Sequence, residues 1–590
     1  MRKPILLLLL ALLGGGLQPA QAATAQPNIV LLLADDWGFT DVGAYGSEIA
    51  TPNIDALAAR GLRFANFHVA ASCSPTRAML LSGVDNHLNG VGNMPETMPP
   101  EHAGKPGYAG TLDTEVVTLA EMLKDNGYHT YISGKWHLGK SAAKLPNQRG
   151  FERSFIQADS GSDNWQQRPY MLLYDQAYWF EGDRAATLPE DFYSSQLIVD
   201  KAIDYIDSNR ADGQPFFAYL GFQANHIPLQ APQANIDKYR GAYAGGWQAL
   251  RQARRARAVE LGLVPAGSAM LEMASTQDWA ALSPEQRARA ERSMEVYAGM
   301  ADAMDEQIGR LIAHLKATGE YANTVFVFMS DNGPEPSDPF AIWTAKLWLA
   351  ANYSTELSHL GAKGTYAVLG PSWASAAAAP LSGYKFFAGE GGLRVPLIIA
   401  GVPGMPANGL TRAFTHVTDL MPTLLELAGI APHNGQYRGR TAPAMTGRSL
   451  LPLLMGQAAQ VHPAEQAIGY ELSGNAALFK GPYKLLKNLS PIGDEQWHLY
   501  NLERDPGETT DLRGAMPELF AQLQGDYAAY AKANGVLVMP KGYDHLVQAQ
   551  WFSLEHGVLP SLKRWLPYLL GLSALFGAGL YWRRSTRSKT

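Results

Sequence analysis

The sequence predicts an α/β fold, with a sheet covered on both faces, followed by a smaller C-terminal α+β domain. Three observations carry this. Short continuous apolar runs at Asn28 to Ala34, Phe216 to Leu220, Thr324 to Met329 and Leu397 to Ile399 read as strands covered on both faces. Segments with helical spacing lie between them. After residue 433, several short strand-like runs follow one another closely, the pattern of an antiparallel sheet.

The elements follow in order. Arg2 and Lys3 precede an apolar run from Ile5 to Leu13, which Gly14, Gly15 and Gly16 interrupt. With small residues at Ala20-Gln21-Ala22, residues 1–22 have the pattern of a secretory signal peptide. The strand from Asn28 ends at the turn Asp35-Asp36-Trp37-Gly38, and Thr51 to Ala58 reads as a loop and helix start. Thr118 to Gly127 is expected to be helical and Tyr128 to Ser133 a strand. Ser283, Pro284 and Gln286 supply an N-cap, a first-turn proline and a capping-box partner. The helix they start is expected to reach about Lys316, with Met294, Tyr297, Met300 and Met304 on its apolar face. The strand from Thr324 ends at Ser330-Asp331-Asn332-Gly333.

From His433 to Arg448 the composition shifts to Gly, Pro, Arg and Thr. Short strands are expected at Ala467 to Leu472, Ala476 to Phe479, Tyr483 to Leu486 and Trp497 to Tyr500, then a helix from Leu519 to Ala533. The expected organisation is a main domain over 27–432, a second over 433–535, a linker over 536–564, a membrane-spanning helix over 565–582 and a tail over 583–590. The span carries no charge and has Trp565, Tyr568, Tyr581 and Trp582 near its ends. Arg583, Arg584, Arg587 and Lys589 put the basic excess after it, so the tail is expected in the cytoplasm and the domains outside it. In a Gram-negative cell that is the periplasmic face of the inner membrane.

The net charge is −6 and no basic stripe with interleaved aromatics is present, which argues against nucleic acid as a partner. Cys73 is the only cysteine, so no intrachain disulfide forms and stability must come from a large core. Asp35, Asp36, Asp331 and Asn332 each follow a strand end, where ligands of open α/β sheets collect. Four oxygen donors favour calcium or magnesium over zinc. In Gly134-Lys135-Trp136-His137-Leu138-Gly139, Lys135 and His137 stand two apart. In an extended segment they would reach one pocket.

Cys73-Ser74-Pro75-Thr76-Arg77, followed by Ala78-Met79-Leu80-Leu81-Ser82-Gly83, resembles the sulfatase signature. The Gly134 to Gly139 motif matches a second sulfatase segment. Gln223-Ala224-Asn225-His226-Ile227-Pro228-Leu229 matches a third. Lys385, upstream of Gly391-Gly392-Leu393-Arg394-Val395-Pro396, matches a fourth, and Asp419 to Leu425 a helix-packing segment. All occur in family order between Pro27 and Leu512, closest to the large bacterial arylsulfatases. The C-terminal span and Ser82, where many members have threonine, depart from the pattern.

This resemblance implies an alkaline-phosphatase-like fold, a large mixed, mostly parallel sheet between helices plus a small antiparallel C-terminal sheet, and hydrolysis of sulfate monoesters, with small-molecule aryl and alcohol sulfates as substrates. It implies that a maturation enzyme oxidises Cys73 to formylglycine (3-oxoalanine), whose hydrate is the nucleophile. One Ca²⁺ is implied, held by Asp35, Asp36, Asp331, Asn332 and the residue at 73; magnesium is the alternative. Arg77, Lys135 and Lys385 are implied to offset sulfate charge. Lys135, His226 and Lys385 would bind the substrate. His226 would protonate the leaving group, and His137 would deprotonate the intermediate. The competing expectations are a phosphonate monoester or phosphodiester hydrolase of the same superfamily, and a membrane-tethered anion-binding protein with Cys73 unmodified.

Overall fold

The computed structural model describes residues 26–564, with 566–568, 571, 574, 575 and 578 beyond them. The expected signal peptide, most of the expected span and the tail lie outside the described residues. Among the described residues, no helix is long and apolar enough to cross a membrane.

Ten strands form the main sheet among the described residues, in the order Gly409–Thr411, Gly61–Phe64, Leu397–Ala400, Thr324–Ser330, Asn28–Ala34, Phe216–Gly221, His129–Lys135, Arg153–Gln157, Trp179–Glu181 and Arg184–Ala185. Its centre is parallel. Ile29 stands opposite both Phe217 and Val325. Antiparallel pairing enters at Leu397–Ala400 and at Trp179–Glu181. The central strand is apolar throughout because each face meets its own core. Val30, Leu32 and Ala34 join a cluster with Ile54, Ile198 and Met300, whereas Ile29, Leu31 and Leu33 join one with Leu80, Leu123 and Leu424. Helices Pro52–Arg60, Ser194–Asn209 and Pro284–Thr318 therefore cover one face, and Cys73–Ser82, Leu119–Asp125 and Leu420–Leu427 the other.

Local signals set the helix ends. Ser283 and Gln286 make the reciprocal capping box, Pro284 opens the helix, and Gly319 closes it with φ 85°, a conformation costly for a residue with a Cβ. Thr118 and Glu121 make a second box.

The C-terminal sheet is antiparallel, in the order Ile468–Leu472, Asn475–Lys480, Tyr483–Lys487 and His498–Asn501. One face sends Tyr470, Leu472, Ala477 and Phe479 into the core of the large sheet. The other packs Leu478, Leu485 and Leu499 on Leu523 of helix Pro517–Asn534. A buried ion cluster joins the two parts: Lys484 Nζ lies 2.8 Å from Glu390 Oε1 and 2.7 Å from Glu508 Oε1, and His68 Nε2 lies 3.1 Å from Glu390 Oε2.

The stretch expected as a linker is largely helical. Asp544 caps helix His545–Ser553, which continues through a π turn at Leu554–Val558. It runs along the loop Met171–Leu173. A Cβ on Gly557 would stand 1.9 Å from the Leu172 carbonyl oxygen, so only glycine permits this approach.

Candidate active site

The strand Asn28–Ala34 delivers Asp35 and Asp36, and its parallel neighbour Thr324–Ser330 delivers Asp331 and Asn332. Cys73 opens the helix Cys73–Ser82 directly opposite, at a helix end whose free N–H groups favour negative charge. Its Sγ lies 3.4 Å from Asp35 Oδ1 and 3.9 Å from Asp36 Oδ1. One turn on, Arg77 is fully buried beneath it. Arg77 Nε donates to Asp331 Oδ2 at 2.8 Å and NH1 to the Lys135 carbonyl at 2.9 Å.

Two lysines face the acidic pair. Lys135 Nζ donates to Asp35 Oδ2 at 2.6 Å, and Lys385 Nζ to Asp36 Oδ1 at 2.8 Å, with Glu335 Oε2 2.7 Å from the same ammonium. His226 Nε2 is 4.0 Å from Asp36 Oδ2, and its Nδ1 donates to the Ile227 carbonyl at 2.8 Å. His137 Nε2 lies 3.3 Å from Glu96 Oε1, which Tyr174 also contacts through its hydroxyl.

The sequence argument placed Lys135 and His137 on one extended segment. The strand instead ends at Lys135, and His137 has left-handed backbone (φ 53°). The two side chains approach the site through a turn. Lys135 reaches the acidic pair from below, and His137 lines the cavity above it. Asp36 is also left-handed (φ 64°), and such strained non-glycine residues concentrate where surrounding structure holds a functional geometry.

Burial dominates the electrostatics. It raises Asp35, and it raises Asp36 to about 8 against the opposing pull of Lys385. It pushes the Cys73 thiol well above its ordinary value, with Asp331 adding to the rise. Asp331 is held below the ordinary value because Arg77, then Lys135 and Lys385, outweigh burial. Burial, then Lys135 and Lys385, hold His226 well below its ordinary value. Glu96 stays ionised, down to about 2, because His137 and Tyr174 outweigh its burial. An ionised Glu96 accepts from His137 Nε2–H, which leaves His137 Nδ1 as a buried nitrogen with no hydrogen-bond partner.

The oxygen cluster fits a cation. Asp35, Asp36, Cys73 and Asp331 present ligand atoms within 4.8 Å of one another. Asp36 Oδ2 and Asn332 Oδ1 are buried without a hydrogen-bond partner, an arrangement that is costly unless something positive is placed among them.

The cluster forms the floor of a cavity of about 820 Å³, into which Cys73, His137, His226 and Lys385 project. The structure thus gathers every residue singled out from sequence. It adds Glu335, Glu96 and Tyr170, whose ring meets His226 edge-on at 5.1 Å. Glu335 had a signal, an acidic residue between Pro334 and Pro336 just after Asn332. Glu96 and Tyr170 had none, because loops far apart in sequence bring them in.

Residues 27–430 match the family model described as Sulfatase. An uncharacterized sulfatase of Schizosaccharomyces pombe is 38% identical over 537 residues, covering 89% of this chain and 96% of its own length. The arylsulfatase of Klebsiella aerogenes is 36% identical over 445 residues, covering 74% of this chain and 94% of its own. Among solved structures, Ps i-CgsB in complex with k-i-k-neocarrahexaose has the same fold, with TM-score 0.62 at 23% identity over 91% of this chain and 99% of its own. A family model that spans most of the chain, relatives of this identity and the sulfatase fold together establish that the chain belongs to the sulfatase family of the alkaline-phosphatase-like superfamily and is a sulfuric ester hydrolase.

Proposed function

We propose that this enzyme hydrolyses sulfate monoesters of phenols and related alcohols through a formylglycine hydrate at position 73. The observation that carries this reading is the position of Cys73. It opens a helix at the floor of the cavity, with the acidic pair on one side and Lys385, His226 and His137 around it. A maturation enzyme oxidises the thiol to an aldehyde, which hydrates. One hydroxyl of the hydrate attacks sulfur and passes its proton to Asp35, whose Oδ1 lies 3.4 Å from the side chain at 73, and the ester S–O bond breaks with its electron pair passing to the leaving oxygen. His226 Nε2, the ring nitrogen left free by the Ile227 bond, gives that oxygen a proton. Burial, then Lys135 and Lys385, hold His226 well below its ordinary value; the negative sulfate ester offsets the two lysines and so favours the protonated ring that this step requires. His137 Nδ1 then takes the proton of the second hydroxyl, the aldehyde carbonyl reforms, and sulfate leaves. Lys385 and Lys135 stabilise charge on the sulfate oxygens, while Arg77 acts through Asp331 and the Lys135 carbonyl.

In this reading Asp35, Asp36, Asp331 and Asn332, with the side chain at 73, hold one calcium ion, because the donors are hard oxygens. When bound, the cation offers positive charge to the sulfate group and lowers the cost of four buried acceptors. Asp36→Asn is expected to reduce the calcium retained after dialysis about tenfold or more, measured by plasma mass spectrometry. Unchanged calcium would remove Asp36 from the ligand set. Asp331→Ala is a poorer test, since it also strands the buried Arg77 guanidinium.

His226→Ala is expected to slow turnover little for nitrophenyl sulfate and about 10²-fold or more for alkyl sulfates, because only a poor leaving group needs the proton. Equal losses across sulfate esters of graded leaving-group acidity would exclude His226 as the acid.

The signal pattern of 1–22 and the basic flank after residue 582 support a domain outside the cytoplasm, tethered at its C-terminus. A reporter fused after Thr590 is expected to behave as cytoplasmic; activity there of a reporter that works only outside the cytoplasm would reverse this topology.

A further inference from the structure

We infer that the sulfate esters this enzyme hydrolyses carry a long apolar group, and that the C-terminal segment His545–Val558 forms the wall that holds it. The inference rests on the sulfatase reading above and names the substrate class of the same cavity.

The cavity, at about 820 Å³, is far larger than a sulfate group requires. Its floor polar groups are already engaged: Glu96 with His137, Ser160 with Tyr170, and Glu335 with Lys385. Of the polar residues elsewhere in the lining, Ser337 bonds Glu335, Asp338 the Phe340 N–H, Ser275 Tyr384 and Ser553 the Ala549 carbonyl, which leaves Thr344, His545 and Gln550 to meet a ligand. Further out the lining changes character. Leu173, Ile342, Ile492, Trp551, Leu554 and Val558 come from four separate segments and present hydrocarbon. A sugar or other polyhydroxylated group placed there would lose more water than these few polar side chains could replace, whereas an alkyl or fused-ring group would lose only unfavourable hydration.

The rim continues the same pattern. Trp343 is 73% exposed and Leu347 64%, on the helix that supplies Thr344 and Ala345 to the cavity. Trp551 is 58% exposed on helix His545–Ser553, which also lines the cavity. Single exposed apolar residues are ordinary, but here they gather on two helices flanking one cavity mouth, as at binding sites for apolar groups.

This wall is anchored. Gly557 brings its backbone against Leu172, Arg564 pairs with Asp175 at 2.6 Å, and Phe552 packs on Tyr174. Tyr174 in turn touches Glu96, the partner of His137. Beyond Arg564 the chain enters the uncharged stretch 565–582, so the mouth lies close in sequence to the most lipid-like part of the protein.

The test uses the full chain in lipid nanodiscs and a series of sulfates: phenyl, 4-butylphenyl, 4-hexylphenyl and 4-octylphenyl. Para-alkyl groups barely change phenol acidity, so only the apolar tail varies. In the wild type kcat/KM is expected to rise about two- to fourfold per methylene until the cavity is filled. Trp551→Ser and Leu554→Asn, both at partly exposed positions, are expected to flatten that rise. Partition into lipid is common to all three proteins and cancels in their ratios. The ratio of wild type to variant should therefore climb at least about tenfold from phenyl to octylphenyl sulfate. A flat wild-type series, or parallel slopes in all three proteins, would overturn the inference while leaving the sulfatase reading intact. No turnover of any member of the series by protein shown to carry formylglycine would instead overturn that reading, and this inference with it.

Discussion

Cys73→Ala is expected to abolish sulfate ester hydrolysis, lowering kcat on the order of 10⁴- to 10⁶-fold, the scale seen when an enzyme loses its nucleophile. The fold should survive. Cys73 is small, its helix is held by the neighbouring Ala78, Leu80 and Leu81 in the core, and Arg77 keeps its bonds to Asp331 and Lys135. Circular dichroism and a melting curve close to wild type, together with lost activity, would confirm the expectation. Substantial residual turnover would remove position 73 from the covalent route. Cys73→Ser is the sharper variant. Its single hydroxyl can attack sulfur but leaves no second hydroxyl to expel sulfate, so the protein should stall after one turnover, bearing one added SO₃ by intact mass. Multiple turnover by Cys73→Ser would require water attack on sulfur and would overturn the elimination step.

Lys484→Met is expected to destabilise the protein by about 3–5 kcal/mol, the cost of removing one partner from a buried ion group. Lys484 is fully buried on the small sheet, with its ammonium between Glu390 and Glu508. Glu390 also receives His68, and Glu508 accepts from the Glu390 backbone N–H at 2.8 Å. Methionine would fill the stem volume but leave two carboxyls together without the cation. Burial already raises Glu508 above its ordinary value. Without Lys484, Glu508 would titrate higher still in the folded state than in the unfolded one, whereas Glu390 keeps His68 and Arg394 beside it. A group raised in this way contributes stability at low pH and loses it as pH rises through the folded value. The variant's deficit relative to wild type should therefore grow with increasing pH in urea titrations. Lys484→Met combined with Glu508→Gln should recover part of the loss, because one of the stranded charges is gone. A pH-independent deficit, or no deficit, would show that the cluster does not hold the two sheets together electrostatically.

Much of this molecule could be read in order along its sequence. The central strands were legible because both faces of a parallel sheet are buried, so Asn28–Ala34 and Thr324–Ser330 are continuous apolar runs. The long helix was legible because Ser283, Pro284 and Gln286 mark its start locally and Gly319 follows its end. The acidic site was legible because Asp35-Asp36 and Asp331-Asn332 follow strands that pair in register, so their meeting needs only the parallel sheet. Cys73 was legible from its motif. Residues tied to no local pattern were not. His137 enters through a left-handed turn that an alternating extended strand does not foresee. Glu96 and Tyr170 come from loops whose paths depend on packing, and the segment after Val536, with no strong periodicity of its own, gave no sign that it walls the cavity. The sequence by itself determined the strands, the helix ends and the chemical identity of the site, because these depend on neighbours in the chain. The depth of the cavity, its apolar wall and the pairing of each charge were decided by the tertiary structure, because they depend on which distant segments must pack together to exclude water.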